Sequence, residues 1–171
     1  NGAVYNGLKE KDFALDLALE LRDRLKAKDY DVFMTRDSDD LSGPYDVNGN
    51  NRINPTERVQ LINSYSADLV ISLHLNSYAT DTSVSGLEIL YGDNSELSKE
   101  LASTLITPVI SYSGTKDRGV KYRPDVLILQ EVTVPTVLIE TGFITNATDV
   151  ANLENFVYKH KLVQGIVEGV E

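Results

Sequence analysis

The chain has 171 residues, 42% of them hydrophobic and 25% charged, which suits one globular domain and excludes a fibrous repeat or a disordered chain. Its net charge of −10 opposes a polyanionic partner, because gripping a phosphate backbone needs clustered Lys and Arg, so nucleic acid is excluded as a ligand. The apolar runs are strand-sized, far below the ~20 residues a membrane span requires, and the absence of cysteine removes disulfide and thiolate chemistry together.

The first predicted element is an amphipathic helix over 11–28, where Phe13, Leu15, Leu17, Ala18, Leu21 and Leu25 recur at helical spacing. DVFMT, 31–35, has the composition of a short strand. From 36 to 54 the sequence turns polar and rich in Gly, Asn and Pro, which predicts a long surface loop, a place where access or specificity is often controlled. Pro55 stands where a helix begins, and Val59, Leu61 and Ile62 carry its apolar stripe to about Ser64. Asp68 to Leu73 is almost continuously apolar, as a strand buried on both faces would be, and it ends at His74.

Further along, 86–91 reads as a strand, 95–110 as a helix, 126–130 and 136–140 as strands, and 149–169 as one or two closing helices. This alternation predicts a three-layer α/β domain with a mainly parallel central sheet flanked by helices.

Two of the buried-looking strands end in ionisable side chains: VISLH delivers His74 and TVLIE delivers Glu140. Ligands of open α/β sheets bind beyond the carboxyl ends of the strands. An imidazole and a carboxylate converging there are the materials of a metal hydrolase, in which the metal acidifies a water and the carboxylate takes its proton. A strand-end histidine bonded to backbone is the plainer reading of His74 alone. Glu10, opening the first helix, is by itself equally consistent with a carboxylate favouring the helix dipole.

Taken together, GLKEKD (Gly7 to Asp12), SLHLNS (Ser72 to Ser77) and ETGFITN (Glu140 to Asn146), with SGLEILY and DRGVKYRPDV between them, resemble the zinc-dependent N-acetylmuramoyl-L-alanine amidase family of cell-wall autolysins and endolysins. The resemblance runs from Gly2 to Gly169. It implies a Zn2+ cofactor held by Glu10 and His74, with Glu140 as the catalytic carboxylate. It also implies peptidoglycan, glycan strand and stem peptide, as the substrate, and action outside the cell at the wall; nothing in the sequence constrains the oligomeric state, and a monomer is the default expectation. Asn76, Glu88 and Arg118 are candidates to bind substrate or support the site; Arg123 is a further candidate for a peptide carboxylate. Arg58 reads as an ion partner on a helix surface, and His160, far from any matching motif, as a surface or packing histidine of the C-terminal helices.

The family's first zinc ligand is a histidine in a glycine-rich motif after its first strand, and no such motif occurs in this sequence. The expectation is therefore a single amidase domain over 1–171 that lacks that strand and that ligand, and Asn1, not being an initiator Met, fits a processed or excised piece. Two other readings stay open: a zinc peptidase of carboxypeptidase type, and an inactive cell-wall-binding module that keeps the fold.

Overall fold

The structure is a computed structural model that describes residues 2–39 and 54–171. The loop expected over 36–54 falls outside the described residues for positions 40–53. A two-stranded antiparallel ribbon, β1 (Val4–Tyr5) and β2 (Leu8–Lys9), leads directly into helix α1 (Glu10–Lys26). Its turn places Asn6 at φ 48 and Gly7 at φ 82, and this reversal sets the direction from which Glu10 enters its helix.

After α1 come α2 (Pro55–Ser64), β3 (Val70–Asn76), β4 (Leu87–Tyr91), α3 (Ser98–Ser113), β5 (Asp117–Tyr122), α4 (Leu127–Glu131), β6 (Thr136–Phe143), α5 (Ala147–Glu154) and α6 (Phe156–Val170). Helix α2 starts with a capping box: Asn54 accepts from the Glu57 N–H, and the Glu57 carboxylate accepts from the Asn54 N–H.

The four main strands are ordered β3-β6-β4-β5, with β3 parallel to β6 and β4 parallel to β5. β4 runs antiparallel to β6, so the sheet is mixed rather than mainly parallel. Strand direction is invisible in LEIL, because side chains alternate between faces whichever way a strand runs.

Helices cover both faces. On one, Ile71, Leu73, Leu87, Ile89, Val137 and Ile139 pack under α1, α3 and α6. On the other, Val70, Leu90 and Leu138 pack under the smaller α2 and α4. At about 25 cal/mol per Å² of apolar area, the first and larger cluster supplies most of the burial that holds the layers together.

Two sequence expectations change and one strand is added. The 126–130 run is the short helix α4, because five residues are too few to display a helical period against a continuous aliphatic stretch. The 31–35 segment makes no ladder with a described residue and is not a strand. β5 was not anticipated: DRGVKY is charged and carries a glycine, both unfavourable signs for a strand.

Among the described residues, β3 pairs on one side only, through β6. Beside its other edge runs a groove of about 1120 Å³, lined by α1, by the 29–36 segment and by Val70 through His74. Its walls include Leu21, Leu25, Val32 and Ile62, and its far end reaches Glu10 and His74. Among the described residues, the strand that reads from sequence as buried on both faces is thus at the edge of the sheet, and most of its residues remain partly exposed.

Candidate active site

Side-chain alternation explains which residues meet. In β6, Leu138 faces α4, so Glu140 two positions on faces the same way, past the end of that helical cover. The register sets His74 of β3 opposite Glu140 on one side, and Glu88 of β4 opposite it on the other. Three ionisable side chains from three strands therefore form one row across the sheet, His74, Glu140, Glu88.

Glu10 joins at the His74 end from the first turn of α1. Its Oε1 lies 2.6 Å from His74 Nδ1 and accepts from the Leu75 N–H at 3.4 Å, and its Oε2 accepts from the Ala3 N–H at 2.6 Å. Burial acts to raise its pKa, but the hydrogen bonds from His74 and the two backbone groups outweigh it and hold the carboxyl below its usual range. Gly2 is required behind it: its φ is +63, and an added Cβ would lie 2.3 Å from Glu10 Oε2.

Glu140 is in the opposite condition. Its Oε2 is buried with no hydrogen-bond partner among the described residues. Burial is the main cause lifting its pKa to about 7, with His74 pulling down and Glu10 and Glu88 pushing up. A carboxyl poised near neutrality beside an imidazole has the proton affinity required of a general base or acid.

Glu88 is buried but fully engaged: Asn76 Nδ2 donates to Oε1 at 3.1 Å, Arg118 Nε donates to Oε2 at 2.9 Å, and Lys121 Nζ donates to the same oxygen at 2.5 Å. Burial alone would raise its pKa, yet the Lys121 and Arg118 contacts bring it below the ordinary value. The structure thus gathers Glu10, His74, Glu140, Glu88, Asn76 and Arg118 in one place.

Two other candidates border this group: Arg123 is near enough to Glu88 and Glu140 to act on their charges, and Arg58 near enough to act on that of Glu10, while His160 lies elsewhere. Arg123 is engaged with Asp125 through two 2.8 Å contacts. Arg58 is not a surface ion partner: it is half-buried on the groove wall, where burial first and Arg36 second lower its pKa, and it forms no salt bridge with a described residue. His160 stays on α6 beside Glu20, ten residues along α1 from Glu10, or about 15 Å.

Sequence reasoning missed Lys121, whose strand was not foreseen, and Asp149. The latter is a buried carboxylate whose Oδ2 accepts from the Gly86 N–H at 2.9 Å and the Phe143 N–H at 2.8 Å. By bridging the start of β4 to the end of β6, it fixes the two strands that carry Glu88 and Glu140. An Asn cap three residues before an Asp in ETGFITNATD was the available signal, since Asn146 Oδ1 accepts from the Asp149 N–H.

A catalytic zinc takes three protein ligands and keeps a fourth position open. Glu10 and His74 have suitable donors in contact with each other, and the orphaned Glu140 oxygen stands one strand away, where a base would be wanted. Among the described residues, however, no group of three His, Asp or Glu side chains is placed to hold a metal ion. The residues fit two-thirds of such a site.

An α/β domain with an imidazole and unlike carboxylates at its strand ends defines a hydrolase-type site. The sequence profile described as N-acetylmuramoyl-L-alanine amidase matches residues 1–171. The chain is 34% identical over 171 residues to the N-acetylmuramoyl-L-alanine amidase LytC of Bacillus subtilis, covering 99% of this chain but 32% of that protein. It is 31% identical over 172 residues to the germination-specific N-acetylmuramoyl-L-alanine amidase of the same organism, covering 99% of this chain and 72% of that one. The crystal structure of an N-acetylmuramoyl-L-alanine amidase from Clostridium difficile 630 superposes with a TM-score of 0.86 at 31% identity, over 99% of this chain and 86% of that one. The chain belongs to the N-acetylmuramoyl-L-alanine amidase family.

Proposed function

We propose that the protein hydrolyses the amide between N-acetylmuramic acid and L-alanine in peptidoglycan, in a zinc-dependent reaction with Glu140 as the general base. The observation that carries this reading is the register that sets Glu140, with its unpartnered buried oxygen, directly beside His74. Family membership supports the choice of bond, and the arrangement of the site supports the chemistry.

Glu10 and His74 would hold the ion, and a third ligand would come from outside the described residues. A strand seated in the groove along β3 would pair with the open edge of that strand and run toward Glu10 and His74, bringing such a ligand to them. When bound, zinc supplies Lewis acidity and draws the pKa of a water toward ~7. Glu140, ionised at neutral pH in a fraction of molecules by its own pKa of about 7 and further by any nearby cation, accepts the proton of the attacking water. The same carboxyl returns that proton to the alanine amine as it leaves.

The chain's negative charge leaves attachment to the wall to another module or to specific contacts, and the expected place of action is the cell wall or the extracellular space. A monomer is the expected state. Among the described residues no helix is long and apolar enough to cross a membrane.

A second reading, an inactive wall-binding module, draws support from the two-donor count. Zinc analysis and peptidoglycan digestion separate the two. Bound zinc and new L-alanine amino termini, abolished by Glu140→Ala with the metal retained, support the amidase. Wall binding with neither zinc nor cleavage would establish the module instead.

A further inference from the structure

β5 contains a bulge whose consequence lies in its side-chain directions. Leu87 pairs with Asp117, but Ile89 pairs with Val120, so two steps along β4 match three along β5. The extra residue is Gly119, with φ +80; open space surrounds the position a Cβ would take, so its backbone angle, not crowding, calls for glycine. Arg118 and Lys121 are three positions apart and would point to opposite faces of a regular strand. The bulge puts both on the face of Glu88, while Val120 keeps its place in the core on the other side.

The cluster that results is cationic in sum, because one buried carboxylate is met by two cations. Arg118 has Nε committed to Glu88 and its guanidinium over the Phe143 ring, 5.0 Å from the centroid. Its two terminal NH2 groups have no hydrogen-bond partner among the described residues, and together they form the flat edge that suits a carboxylate. The Lys121 side chain is 41% exposed and that of Arg118 25%, so both remain reachable from solvent. This positive patch stands next to Glu140 on a molecule of net charge −10.

We propose that Arg118 and Lys121 form a subsite for a free carboxylate on the peptide part of the substrate, with Glu88 as the positioning residue that holds the two cations together. The proposal rests on the amidase reading. In that substrate the lactyl carboxyl of the sugar is consumed in the amide, so the remaining carboxylates belong to the peptide.

The test uses the full-length, zinc-loaded protein and two synthetic muramyl peptides that differ only in a carboxylate against a carboxamide on the residue after L-alanine. The wild type is expected to favour the carboxylate in kcat/KM. Lys121→Gln and Arg118→Gln are each expected to lower that preference about tenfold, mostly through KM, as the loss of one charged hydrogen bond would. Arg118→Lys should restore part of it, and the preference should shrink as salt is added. Equal losses on both peptides would assign the cluster a structural role and overturn the subsite, as would an unchanged preference in Lys121→Gln, whose exposed side chain makes misfolding an unsuitable explanation. If the wild type cleaves neither peptide, nor peptidoglycan, the amidase reading falls and takes the subsite with it.

Discussion

Glu140 and Glu88 stand directly opposite each other on antiparallel strands, yet among the described residues Glu88 has hydrogen-bonded partners on both of its oxygens and the buried Oε2 of Glu140 has none. The cations that satisfy one carboxylate leave the other to bear the cost of burial, which splits two like groups into an ionised anchor and a carboxyl poised near pH 7.

Substituting Glu140 by Gln is expected to lower kcat by about 10³-fold while zinc stays bound, since a general base is removed and no ligand. Steady-state rates on a soluble muropeptide, together with metal analysis, check both halves of this statement.

The same substitution has a pH signature in the metal-free protein. The folded pKa of Glu140, about 7, lies above the unfolded value of 4.5, so between them the native state binds more protons than the unfolded one. Native stability is then lost as pH rises through this window. Gln removes that loss, so its stability gain over wild type should be absent near pH 4 and grow to on the order of 3 kcal/mol above pH 7. Urea unfolding across that range, after chelation, measures the difference; a gain largest at low pH would refute it.

At the other end of the row, Glu10→Ala and His74→Ala should each weaken zinc binding by more than ~100-fold, beyond what is typical of residues that only support a ligand. Gly2→Ala tests the packing behind Glu10, since its Cβ would displace Oε2. A loss of about tenfold in zinc affinity is expected there, read by competition with a chelator, with little change in secondary structure.

His74 and Glu140 were legible because each closes an apolar run, and burial is what a run of aliphatic residues reports. Glu10 required the surrounding motifs, because an acidic residue at a helix start has an ordinary electrostatic explanation. Lys121 was hidden for a physical reason: its face depends on the bulge at Gly119, and counting by twos along DRGVKY sends it to the wrong side. The antiparallel course of β4 was likewise absent from its own residues, being decided by how the chain travels between strands. The 31–35 segment has strand composition, but a strand exists only with a partner, which no reading of one segment supplies.

Asp149→Ala is expected to cost about 2 to 4 kcal/mol, because it leaves the buried N–H groups of Gly86 and Phe143 without their acceptor. It should also lower activity without direct contact with substrate, since those two groups fix the ends of the strands bearing Glu88 and Glu140. Thermal unfolding and kcat measured on one preparation would show the two effects together.

Gly165 lies where α6 crosses α3, and a Cβ there would stand 2.6 Å from Val109 Cα and 2.8 Å from the Pro108 carbonyl oxygen. Alanine normally stabilises a helix interior by up to ~1 kcal/mol relative to glycine. Here the obstacle is backbone, so the helices must separate, and Gly165→Ala should be destabilising by about 1 to 3 kcal/mol in denaturant titration.

The row across the sheet draws its members from positions 74, 88 and 140, and Glu10 meets it from a helix near the chain's beginning. Its four members come from four separate elements, α1, β3, β4 and β6. The site is therefore assembled only when these elements have closed on one another in the sheet. For an enzyme whose proposed substrate is the wall that keeps a cell from bursting, this ties the reactive row to the completed sheet, and a chain still open between these elements holds its carboxylates and imidazole apart.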